Sequence, residues 1–254
     1  MLKRALLSLV AAAIGLAVMI GVEILIAVRR EYIPTEPALE IGGTFGEGKE
    51  PFTLVVLGDS TAAGVGAGVT ERSFPVLLTQ RLAEEEGVVV ELVVVAESGA
   101  RVDDVLNEQV DAAVAADPDL VLVAIGANDV THLTGLDSVR ENTRLFVQRL
   151  RDEGLPVVVA GAPDMRAPAF YEPLRSIVGW RGRAVTDAIE ESAAAAGATV
   201  IPLADRTRAF FISSPDEAYS SDSFHPGPAG YERWAQALFP EVAEALHSVV
   251  EASQ

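Results

Sequence analysis

The chain has no cysteine in its 254 residues. That excludes a disulfide framework, a cysteine-ligated zinc site and a thiol nucleophile. Lysine is almost missing: Lys3 and Lys49 stand against 17 arginines among the 19 basic residues, a bias of the genome before it is a chemical one. Positive charge as a whole is scarce. With 37 acidic residues the formal net charge is −18, a field that repels phosphate backbones and argues against nucleic acid as a partner. The three histidines lie far apart and show no ligand spacing, so no metal site is expected. The excess of polar residues that marks disordered chains is absent too. Half the residues are hydrophobic, enough for a full core in one domain with a short appendage.

That appendage is the N-terminus. Ala5 to Val28 is almost wholly apolar, with one charge at Glu23. At 1.5 Å per residue it spans about 36 Å, more than a hydrocarbon core of ~30 Å. Lys3 and Arg4 precede it, and Arg29 and Arg30 close it. The run is longer than the apolar stretch of a cleaved signal peptide, and no convincing small-residue cleavage site precedes Arg29. Residues 1–30 therefore read as an uncleaved signal anchor with the rest of the chain outside the cytoplasm, secretion after cleavage being the alternative. Residues 31–51, rich in Pro, Gly and Glu, read as a linker that holds the domain off the membrane.

Residues 52–250 alternate strand and helix. Short valine-rich runs at Phe52–Leu57, Val88–Val95, Leu120–Ile125, Pro156–Ala160 and Thr199–Leu203 alternate with apolar residues at helical spacing, ending in helices from about Trp180 to Ala196 and Ala229 to Val250. Strands apolar on both faces imply a parallel α/β sheet covered by helices on both sides. Ligands of such sheets bind beyond the carboxyl ends of the strands, so those turns bear the chemistry.

Gly58, Asp59, Ser60 and Thr61 follow the first strand, where a serine projects from the top of the sheet; a helix cap without chemistry has the same composition. It is not the GxSxG elbow of α/β-hydrolases, because residue 62 is alanine. Ser98 and Gly99 follow the second strand, and a glycine leaves its N–H open to a ligand. Gly126, Ala127, Asn128 and Asp129 follow the third, where an asparagine amide can donate to an oxyanion or simply form a turn. Before the last helix stands DSFHP: an Asp222 carboxylate three residues ahead of His225 can hold Nδ1–H and leave Nε2 free to take a proton. His247 reads as a surface residue and His132 as a loop residue. Each motif alone is weak. Together, at four turns facing one mouth, they supply a nucleophile, a base, a carboxylate that orients it and oxyanion donors.

In these four blocks, across roughly Thr53 to Leu246, the sequence resembles the SGNH hydrolases, also called the GDSL esterase/lipase family. The resemblance implies a flavodoxin-like three-layer α/β/α sandwich with a five-stranded parallel sheet in the order 2-1-3-4-5. It implies ester hydrolysis without metal or cofactor, on lipid, carbohydrate or small-alcohol esters. By position, Ser60 is then the nucleophile, His225 the base and Asp222 its orienter, with the N–H groups of Ser60 and Gly99 and the Asn128 side chain as the oxyanion hole. Two departures stand out. Thr61 occupies a place where leucine is common, a change expected to affect packing. Glu97 and Ser98 precede Gly99, where many members carry an asparagine two or more positions ahead.

For substrate contact, the segment Ala162–Trp180 after the fourth strand carries Met165, Phe170, Tyr171, Leu174, Ile177 and Trp180; it offers an apolar wall, with Phe170, Tyr171 and Trp180 as the candidate contacts and Tyr171 and Trp180 able to stack on a sugar, or mere cover for the sheet. An acyltransferase would use the same residues. A tethered binding module without catalysis would not need all of Ser60, Asn128, Asp222 and His225. Gly64, Gly66 and Gly68 form a glycine-rich loop, but neither GxGxxG nor GK[ST] is present for a nucleotide. Oligomeric state has no signature in the sequence.

Overall fold

A computed structural model describes residues 2–48 and 51–252; Lys49 and Glu50, at the end of the expected linker, lie outside it. The strands are β1 (Gly42–Phe45), β2 (Phe52–Gly58), β3 (Val90–Ala96), β4 (Leu120–Ala124), β5 (Val157–Ala160) and β6 (Thr199–Ile201). β2 to β6 run parallel in the spatial order β3-β2-β4-β5-β6, which is the expected 2-1-3-4-5.

The sheet has six strands, however, and is mixed. β1 pairs antiparallel with the outer edge of β3, Gly42 opposite Val93 and Phe45 opposite Val90. Residues 31–51 are thus not simply a linker: Leu39, Ile41 and Phe45 pack on the core. The sequence Gly-Gly-Thr-Phe shows no alternation of apolar and polar residues because this strand is held by backbone hydrogen bonds at an edge.

Leu54 to Leu57 and Leu120 to Val123 have no solvent exposure. Alternate side chains point to opposite faces. Leu54, Val56, Leu120 and Leu122 meet α2 (Phe74–Glu86), α8 (Leu203–Ser213), the short α9 (Pro215–Ala218) and α10 (Pro228–Ala252) through Phe74, Leu78, Trp234 and Leu238. Val55, Leu57, Val121 and Val123 meet α3 (Val102–Asp104), a π turn at Val105–Gln109, α4 (Val110–Ala115), α6 (Leu136–Asp152) and α7 (Leu174–Ala195) through Val102, Phe146, Leu150 and Ile189. Burying each such side chain contributes about 1.5–3 kcal/mol, so the two central strands hold their carboxyl ends firmly. The remaining helix, α5 (Ala127–Thr131), starts directly beyond β4.

α1 (Leu2–Arg29) is long and apolar enough to cross a membrane, a test that a signal sequence also passes. Its described side chains are mostly exposed. Glu23 and Ala27 are the buried exceptions, and they face the start of α7. That helix begins at Leu174, six residues before the expected Trp180, and the Glu23 carboxylate accepts a hydrogen bond from Leu174 N–H at 2.9 Å. A cap supplied from 151 positions away leaves no local mark in the sequence.

Candidate active site

β2 and β4 bring Gly58 and Ala124 side by side at the carboxyl edge of the sheet. Gln109 grips both backbone groups of Gly58: its Nε2 donates to Gly58 O at 2.8 Å, and its Oε1 accepts from Gly58 N–H at 2.9 Å. The π turn at Val105–Gln109 supplies that side chain, a local widening of the helix often found at functional sites. The chain then turns through Asp59, whose buried carboxylate accepts from Thr61 N–H at 2.9 Å and from the Thr61 hydroxyl at 2.8 Å on one oxygen. Burial nonetheless pushes the Asp59 pKa up, against the two Thr61 bonds. This brace leaves Ser60 at the tip of the turn, lining a cavity.

Across the cavity lies the loop before α10. Ser223 adopts φ 60°, which folds the chain so that one oxygen of Asp222 accepts from Phe224 N–H at 2.9 Å and His225 N–H at 3.0 Å. The other Asp222 oxygen faces His225 Nδ1 at 2.6 Å, and His225 Nε2 faces Ser60 Oγ at 3.1 Å. This geometry has Nδ1–H donating to Asp222 and Ser60 O–H donating to Nε2. Burial alone would raise the Asp222 pKa. The hydrogen bond from the His225 ring, the two backbone N–H groups and the His225 charge outweigh it and bring the group down to about 2. Gly66, at φ 97°, closes the loop after Ser60 onto this one; a Cβ there would lie 2.3 Å from Pro226 O. The glycine-rich loop thus serves close backbone packing, and Tyr231 ties it to α10 with a 2.5 Å bond to Val65 O.

Asn128 Nδ2 donates to Ala100 O at 3.0 Å. An amide nitrogen carries two hydrogens, so one orients the group and the other is left for a ligand. Its neighbour Asp129 is buried and accepts from Val102 N–H at 3.1 Å, joining α5 to α3. Burial raises the Asp129 pKa to about 6 despite that bond. Gly99 holds φ 94° with open space at its missing Cβ. Among the described residues, neither the Ser60 nor the Gly99 N–H donates a hydrogen bond.

A segment far away in sequence also reaches this site. Ile33 N–H donates to the same Asp222 oxygen that faces His225, at 3.3 Å, and Arg30 Nη1 donates to Asp222 O at 3.2 Å. The Tyr32 ring meets Phe224 edge-on at 5.5 Å.

Residues 56–233 match the model of the GDSL-like lipase/acylhydrolase family. The chain belongs to that family. It is 35% identical over 196 residues to the GDSL-like esterase Rv1075c of Mycobacterium tuberculosis, which covers 76% of this chain and 62% of the relative, so the chain spans under two thirds of that protein's length. Among solved structures it is similar to TesA (25% identity, TM-score 0.61, covering 76% of this chain and 99% of that one). It is also similar to the lipase Lip_vut3 from a goat rumen metagenome (21% identity, TM-score 0.60, covering 76% and 97%).

The structure brings Ser60, Asn128, Asp222 and His225 together around one cavity, with Gly99 on the turn beside Ala100. It does not bring Phe170, Tyr171 and Trp180 to the cavity wall. Phe170 is buried against Phe224, Leu174 and Ala27, whereas Tyr171 and Trp180 face solvent. Pro163, Asp164, Met165 and Ala167 line the cavity instead, and Trp180, within α7, is left exposed. The cavity, partly open to solvent, has an apolar wall of Met165, Ala167, Phe211, Tyr219, Phe224 and Trp234. Phe211 and Tyr219 sit in residues 204–221, a stretch without a clear period because α8 and α9 are short and cover the sheet end. His132 lies exposed with Nδ1 3.0 Å from Asn128 O, and His247 lies exposed with Nε2 2.6 Å from Glu86 Oε2; neither enters the cavity. Thr61, expected to matter for packing alone, instead donates twice to Asp59.

Proposed function

We propose that the protein is a membrane-anchored serine esterase that hydrolyses carboxylic esters with Ser60, His225 and Asp222. The unbroken path from Ser60 Oγ through the His225 ring to Asp222, at 3.1 and 2.6 Å, carries this reading. His225 Nε2 takes the Ser60 proton as Oγ adds to the ester carbonyl carbon. The resulting oxyanion is held by the N–H groups of Ser60 and Gly99 and by the free amide hydrogen of Asn128. The bond to the alcohol oxygen then breaks, and Nε2 returns its proton to that oxygen. Water deprotonated by the same nitrogen attacks the acyl-serine and releases the acid. Asp222, anionic far below neutral pH, faces the imidazolium formed in each half.

The name of the mycobacterial relative and the family match support the reaction class. The wall of Met165, Phe211, Tyr219 and Phe224 suits the apolar part of an ester. The contacts of Glu23 and Ala27 with the start of α7 support retention of α1 as an anchor, because a cleaved signal would forfeit them. On this reading the basic Lys3 and Arg4 stay inside and the domain lies outside the cytoplasm.

The test is fluorophosphonate labelling of the full chain in mild detergent. A single adduct on Ser60, lost together with hydrolysis of a water-soluble butyrate ester in Ser60→Ala, is expected. A folded wild-type chain that takes no label and cleaves no ester overturns the reading in favour of a tethered binding module.

A further inference from the structure

Four large apolar side chains of the globular domain stand exposed on the turn after α5 and along residues 171–180: Leu133, Tyr171, Ile177 and Trp180. Leu133 follows α5, whose Ala127 and Asn128 line the cavity. Arg181, next to Trp180, reaches the carbonyl of Thr134 and so ties α7 to the Leu133 turn. Ile177 and Trp180 are three residues apart and share a face of α7. Tyr171 adjoins Phe170, which packs on the cavity-lining Phe224.

The anchor sets the height of this patch. Starting at Ala5, a hydrocarbon layer of ~30 Å takes up about 20 residues at 1.5 Å each. The far face of the layer therefore falls beside Glu23, the residue that caps Leu174 at the start of α7. Three residues before that contact stands Tyr171, and Ile177 and Trp180 follow within two turns. Charge agrees with the placement. In a chain of net −18, residues 161–186 carry Arg166, Arg175, Arg181 and Arg183 against only Asp164 and Glu172, and Arg29 and Arg30 close the anchor about 10 Å beyond Glu23. Aromatic and basic side chains together mark the headgroup region of a bilayer.

We infer that Leu133, Tyr171, Ile177 and Trp180 form a rim that rests in the lipid surface from which α1 emerges, so that the mouth takes amphiphilic esters borne by the membrane itself. This rests on the proposed esterase activity and retained anchor.

The experiment uses the full chain reconstituted in vesicles of phosphatidylcholine and phosphatidylglycerol. Trp180 is 65% exposed and the only other tryptophan, Trp234, is 1% exposed, so the difference from a Trp180→Phe variant isolates its emission. Phosphatidylcholine brominated near the headgroup is expected to quench Trp180, and aqueous iodide is not; the reverse pattern overturns the rim. In Leu133→Ser/Ile177→Ser, kcat/KM on a long-chain ester dissolved in the vesicles is expected to fall about tenfold, with a water-soluble butyrate ester cleaved as before. Equal effects on the two esters, or none on either, overturn the inference. A chain that cleaves neither ester but shows the lipid quenching refutes the esterase reading and leaves the rim standing. A chain that fails to float with the vesicles refutes the anchor and the rim together.

Discussion

Asn128 shows how one side chain divides its capacity at this site. Its bond to Ala100 O spends one amide hydrogen on orientation and leaves the other free on a residue that lines the cavity with Ser60. Removing a single preorganised oxyanion donor typically costs about 10²–10³ in kcat. Asn128→Ala is therefore expected to lose about that much in kcat on a butyrate ester with KM little changed, while fluorophosphonate still labels Ser60 slowly. A loss confined to KM would mean that the amide binds the ground state instead. The types of these residues were legible from sequence, because Ser60 and Asn128 each follow a strand end and Asp222 stands three residues ahead of His225 before the last helix. The bracing was not: Gln109 meets Gly58 across 51 positions and only after a π turn aims it, and nothing in the local pattern of residues 105–109 announces that turn.

At the scale of elements, the central strands explain themselves. Runs with no exposure on either face can only be inner strands of a covered sheet, and β2 and β4 are that. The end of α1 is different. Residues 30–33 leave α1 and bind the Asp222 loop through Arg30, Ile33 and Tyr32, where composition alone pointed to a spacer. An edge-on aromatic pair is worth about 0.5–1.5 kcal/mol beyond its buried area. Tyr32→Ala is expected to lower the melting temperature by a few degrees and to cut kcat/KM severalfold on a soluble ester, with Tyr32→Phe restoring most of both. Unchanged activity in Tyr32→Ala would show that the Asp222 loop holds its shape without this contact.

Across the whole molecule, buried carboxylates set the response to pH. The Asp222 pKa is depressed to about 2; its stabilisation is present above the unfolded value near 4 and is lost as pH falls towards 2. Asp129 and Glu190 act in the opposite sense. Burial raises them to about 6 and about 7, with Asp187 and Asp205 adding to the Glu190 shift. The folded state then holds more protons than the unfolded one, and stability declines as pH rises from about 4 through those values. Glu190 also leaves one buried oxygen without a hydrogen-bond partner. Glu190→Gln is expected to raise the melting temperature at pH 8 and to change it little at pH 4, as scanning calorimetry at the two pH values would show. An equal gain at both would assign the effect to packing rather than charge.

Sequence by itself determined the alternation of parallel strands with helices and the four motifs at the rim of the sheet, whereas the strand order came with the family resemblance that those motifs carry. The alternation and the motifs depend on local periodicity and on turn chemistry, which are written in neighbouring residues. Only the tertiary structure decided which aromatic residues wall the cavity, that residues 42–45 add a sixth strand, and that Glu23 and the segment after α1 reach the start of α7 and the Asp222 loop. Those features are contacts between residues up to 192 positions apart. They are made by backbone groups and by the phase of helices, and the spacing of residue types along a chain encodes neither.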